Sequence, residues 1–167
     1  ISLGQPSALN FERTDSFSFL CLFIPSADSA NSSIISRTNI DGQGWRWAMP
    51  TGDGQHFILI AATGGTILSV TTTATQTNGT LYMMGVSNAG TSLASGVLFY
   101  RNGAADAKDA PVTDNLAANI AVATDVEIGR TNTNTLLLGG DLAFVAVFNA
   151  VMTARDFRRW AFLAGIL

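Results

Sequence analysis

The chain has one cysteine, one lysine, one histidine and two glutamates in 167 residues. A single cysteine, Cys21, excludes an intrachain disulfide. Its place in an apolar run makes it a small core residue. One histidine and one cysteine are too few for a zinc site. A Ser-His-Asp or Cys-His site would have to use His56, which lies beside the apolar run Phe57-Ile58-Leu59-Ile60, with Cys21 on another strand. His56 reads instead as a surface or satisfied structural residue. No G-x-S-x-G elbow occurs, and the pairs Gly64-Gly65 and Gly139-Gly140 read as turns rather than phosphate-binding loops. Charged residues make up 13% of the chain, against roughly 25% in an average domain. The formal net charge of −3 leaves no basic patch for nucleic acid. No apolar run reaches the length of a membrane-spanning helix. Phe17–Ile24 lacks the basic flank and small-residue cleavage site of a signal peptide.

What is present is apolar. Hydrophobic residues make up 47% of the chain and the mean hydropathy is +0.29. Either the core is large for the chain or partners cover part of the surface, so assembly into a homo-oligomer is expected. Short apolar runs recur between turn signals, the pattern of an all-β sandwich in a single domain over residues 1–167. Phe17–Ile24 is apolar on both faces and reads as a central strand. Ile34–Arg37, Trp45–Trp47, His56–Ala62, Ile67–Thr77 and Leu81–Val86 follow as strands. Ile120–Val122 and Val126–Gly129 are short candidates. Val97–Asn102 runs into Asn102-Gly103, the strongest short hairpin signal. Ala104–Asn119 reads as a loop with at most one short strand. Leu142–Phe148 is again apolar on both faces and reads as central. Thr153, with Asp156 three residues on, marks a capped helix. Phe157, Trp160, Ala161 and Ala164 share one face of it, and Arg155, Arg158 and Arg159 point outward.

The order of three stretches near the end carries a resemblance. VLFYRNG (Val97–Gly103), VEIGR (Val126–Arg130) and GGDLAFVAVFNAVMTARDFRRW (Gly139–Trp160) follow one another as they do in concanavalin A-like, laminin G-like domains. LNFERTDSFSF near the start resembles the opening of the same domains, with Leu20-Cys21-Leu22 replacing the usual small residue and tryptophan. The resemblance runs from about Leu9 to Ala164. It implies an antiparallel two-sheet jelly-roll sandwich with one short C-terminal helix. It leaves function open, because ligands in this family are set by variable loops.

One branch of this fold hydrolyses glycans with paired carboxylates on one strand. The nearest arrangement is Asp125-Val126-Glu127. Ala123 stands where a third carboxylate belongs, so the pair reads as a solvated strand edge and no enzymatic activity is expected. Many relatives bind calcium through loop aspartates. Asp41, Asp53 and Asp141 lie beside glycines and suit either calcium or ordinary turns. Glycan binding needs an exposed aromatic with planar hydrogen-bonding groups, which nominates Trp45, Arg46 and Trp47, with Tyr82 and Tyr100. The competing reading places both tryptophans in the core. The arginine trio suits an acidic partner or a wet helix face.

Two functions follow. The first is a non-catalytic interaction module, a virion accessory protein such as a phage capsid decoration, head-fibre or tail component, working through protein contacts within an oligomer. The second is a carbohydrate-binding module of a secreted or cell-surface protein, with exposed Trp45 and Trp47.

Overall fold

In a computed structural model the chain folds into two antiparallel sheets packed face to face. The structure describes residues 1–26, 32–49, 55–62, 64–110, 113–133 and 136–167. The strands in chain order are β1 (Phe17–Pro25), β2 (Ser32–Thr38), β3 (Gly44–Met49), β4 (Phe57–Ala61), β5 (Ile67–Thr71), β6 (Tyr82–Asn88), β7 (Val97–Arg101), β8 (Ala104–Asp106), β9 (Thr113–Asp114), β10 (Glu127–Ile128) and β11 (Gly140–Phe148), followed by helix α1 (Ala154–Leu163). One sheet has five strands in the order β11-β1-β6-β7-β8, and the other has six in the order β10-β2-β3-β4-β5-β9. This is the jelly-roll sandwich that the sequence implies.

Alternation in β1 builds two cores. Phe17, Phe19, Cys21 and Phe23 face the second sheet. Burial pushes the Cys21 thiol well above the usual range. Phe19 meets Trp45 at 5.0 Å and Trp47 at 6.0 Å between ring centres. Leu20 points the other way, into a smaller cluster with Met83, Tyr100, Met152, Phe157 and Ala161. That cluster exists because α1 lies on the outer face of the five-stranded sheet. Phe157 stacks on Tyr100 at 4.1 Å, and its ring fills the space above Gly85 where any side chain would stand. Thr153 and Asp156 form a complete capping box at the head of the helix. Arg155, Arg158 and Arg159 face solvent.

Four sequence readings are corrected. The strand expected over Ile67–Thr77 ends at Thr71, because beyond it Arg101 takes the carbonyls of Ala74 and Thr75 at 2.6 Å each. Ala104–Asn119 contains two short strands, β8 and β9. The first closes the hairpin at Asn102-Gly103, whose positive φ angles of 49° and 75° suit the turn. Ile120–Val122 is not a strand, and Ile120 is buried from a loop. β11 is a sheet edge rather than a central strand. Apolar residues on both its faces report cover from the core and from α1, not a strand on each side.

Candidate functional site

Trp45 and Trp47 do not form a ligand platform. Their side chains are 1% and 0% exposed, inside the core between the sheets. The reason is pleat: with both tryptophans facing inward, only Arg46 of the three points outward. Trp47 also has a polar duty there. Its Nε1–H donates to His56 Nδ1 at 3.1 Å. That bond leaves the imidazole proton on Nε2, which lies 3.6 Å from Asp106 Oδ2. Arg101 holds the same carboxylate oxygen at 2.9 Å through Nη2 and 3.0 Å through Nε. Burial pushes the His56 pKa down, against the pull of Asp106. Burial works against the Asp106 carboxylate as well, but His56 and Arg101 outweigh it and hold its pKa below the ordinary value. His56 is therefore a buried structural residue that ties β3 to the hairpin of the opposite sheet.

Arg46 stands on the outer face of the six-stranded sheet, between Ser36 on β2 and Leu59 on β4. It lines a pocket of about 160 Å³ with Thr38, Asn39, Ile40, Gly42, Leu59, Thr131, Asn132, Thr133 and Leu136. Burial lowers the Arg46 pKa from the usual arginine value. Two loops build the rest. The β2–β3 loop is organised by Asn39, whose Oδ1 accepts from the backbone N–H of Asp41 and Gln43 at 3.0 and 2.9 Å. Gly44 closes it with φ 118°, where any side chain would strike the Arg37 carbonyl. The loop leaves Ile40 83% exposed beside the pocket. The second loop, after β10, brings Thr131, Asn132 and Thr133. The Asn132 Oδ1 is buried without a hydrogen-bond partner among the described residues. A fixed cation, two amides, three hydroxyls and an apolar ledge suit a small polyhydroxylated ligand carrying a carboxylate. The sequence nominated Arg46 but not the loop after β10. Asn and Thr in a polar run look alike whether they line a pocket or face bulk water.

The other candidates lie elsewhere. Glu127 is buried opposite Ser36, and its Oε2 accepts from Arg130 Nε at 2.8 Å. Asp125 accepts from Ser2 Oγ at 2.8 Å. The pair is occupied in holding the N-terminal segment and the β10 loop. Asp41 and Asp141 are exposed, in the β2–β3 loop and at the start of β11. Asp53 lies outside the described residues. Among the described residues no group of three or more His, Cys, Asp or Glu side chains could hold a metal ion, so calcium is assigned no ligands. Among them, too, no helix is long and apolar enough to cross a membrane.

Two sheets in this order, closed by a helix on the outer face, define a concanavalin A-like sandwich. The chain belongs to the Laminin_G_3 family of the concanavalin A-like lectin/glucanases superfamily, whose model matches residues 3–157. No curated protein matches it. Among solved structures it is similar to the binding domain of botulinum neurotoxin serotype G, at 12% identity and TM-score 0.70, over 98% of this chain and 40% of that one. The chain thus spans well under half the length of that domain. It is also similar to the CBM40 module of the Ruminococcus gnavus IT-sialidase, at 13% identity and TM-score 0.68, over 89% of this chain and 84% of that one. The same module bound to α2,3-sialyllactose matches at 12% identity and TM-score 0.62, over 89% and 83%. At these identities the likeness is one of fold.

Proposed function

We propose that this chain is a non-catalytic carbohydrate-binding module that takes an acidic sugar in the pocket around Arg46. The observation that carries the reading is the pocket itself, an arginine held at its wall by two flanking strands and surrounded by amides and hydroxyls. The guanidinium pairs with the sugar carboxylate through two parallel hydrogen bonds. The Asn132 Oδ1, buried without a partner among the described residues, accepts from a ring hydroxyl, and Ile40 packs on the apolar face of the ring. The similar structures, a binding domain and a module bound to α2,3-sialyllactose, support a binding role. Such a module works outside the cell or on a surface. A virion accessory placement keeps only its compositional support.

Titration calorimetry with α2,3-sialyllactose and with lactose tests the reading. Binding of the first, its loss in Arg46→Ala and weak or no binding of lactose are expected. Removing one partner of a charge-assisted pair weakens binding by about 2–5 kcal/mol, enough to abolish a weak sugar complex. Equal binding by Arg46→Ala and the parent chain would reject this pocket.

A further inference from the structure

Among the described residues, three of the four sheet edges are blunted and one is not. β8 is three residues long, and β9 and β10 are two each. β10 is also paired at Ser2 with the N-terminal segment. Short or covered edges are the usual protection against unwanted strand pairing. β11 is nine residues long and, among the described residues, pairs only with β1. Its register slips once, where Leu22 faces Phe144 and Phe23 faces Leu142, so Ala143 is an extra, bulged residue. Past that bulge the ladder is regular over Phe144–Phe148. This run carries no charge, no proline and no glycine.

Phe144-Val145-Ala146-Val147-Phe148 reads the same in both directions. We infer that β11 pairs antiparallel with β11 of a second copy of this chain, centred on Ala146, joining two five-stranded sheets into one of ten strands. A two-fold axis at Ala146 places Phe144 opposite Phe148, Val145 opposite Val147 and the smallest side chain opposite itself. Each large residue meets a large one, so the interface is self-complementary. Charge selects the antiparallel sense. Asp141, the only charged residue of β11, lies at opposite ends of an antiparallel ladder, whereas parallel pairing in register sets the two carboxylates side by side. The surroundings suit burial. Trp160, 37% exposed, stacks on Phe144 at 5.9 Å and meets Phe148 tilted at 6.3 Å. An apolar groove of about 190 Å³ opens beside it, between Leu22, Phe144 and Leu163. The short remaining edges stop the assembly at two copies. The pairing is independent of sugar binding, because Arg46 lies on the other sheet.

Light scattering on the whole chain across the micromolar range tests this. Twice the 17.5 kDa chain mass is expected. Ala146→Lys and Ala146→Glu each set like charges together at the two-fold axis and halve the mass. Mixing the two variants in equal amounts restores it. Hydrogen exchange on the unaltered chain gives a reading that needs no variant: the amides of Phe144–Phe148 are more protected in concentrated than in dilute solution. A mass of one chain throughout, a mass above two, a dimer retained in both variants, or protection independent of concentration would overturn the inference.

Discussion

His56 concentrates the chemistry of single residues in this protein. Its Nδ1 accepts from Trp47, so a second ring proton would point at an N–H already there, in a site closed to water. The fold therefore holds the imidazole neutral and depresses its pKa below 6.5. The unfolded chain keeps the ordinary value and binds more protons in the window between the two. Stability is full above pH 6.5 and falls as pH drops through that window, levelling off below the folded pKa. Urea unfolding between pH 7.5 and 5 checks this, and His56→Gln, whose amide oxygen can still accept from Trp47, is expected to flatten the slope. A loss of stability toward high pH would contradict the neutral assignment. Arg46 shows the opposite case. Its side chain lines a pocket wall, and its removal is expected to change binding.

Helix α1 is held both by its own backbone cap and by packing against the sheet. Locally, the Thr153–Asp156 capping box satisfies backbone N–H groups of the first turn. Thr153→Ala is expected to cost about 1 kcal/mol, read as a shift in the urea midpoint. The packing is worth more. Phe157→Ala removes a buried ring that stacks on Tyr100, and a loss of about 3–5 kcal/mol is expected. Gly85→Val drives two methyl groups into the same ring and destabilises by about 1–3 kcal/mol through overpacking. Combined with Phe157→Ala it should cost less than the sum, because the smaller side chain makes room. Strict additivity in that double mutant would show that the two residues do not meet.

For the whole molecule, association and stability are linked. If two copies share a sheet through β11, the dimer is the species that unfolds, and its melting temperature rises with protein concentration. The same series on Ala146→Lys is expected to be flat. Sugar binding is expected to be unaffected by that variant, since the pocket and the edge lie on different sheets. The low charge fraction then has a structural use: apolar groups on the flank of β11 and α1 are covered by a second copy.

Much of this was legible without coordinates. Alternation along Phe17–Ile24, the Asn102-Gly103 turn and the Thr153–Asp156 cap are local signals, set by pleat, backbone sterics and hydrogen bonds within a few residues. They determine strands, a hairpin and a helix, and their order carries the family. Three things needed the tertiary structure. Trp45 and Trp47 alternate with Arg46 in any strand, but only the position of the second sheet says which face is inside. β11 looks like β1 in composition, and only sheet order makes one an edge and the other a centre. The pocket joins Arg46 to Asn132 across more than eighty residues of sequence, and proximity of that kind is created by folding alone.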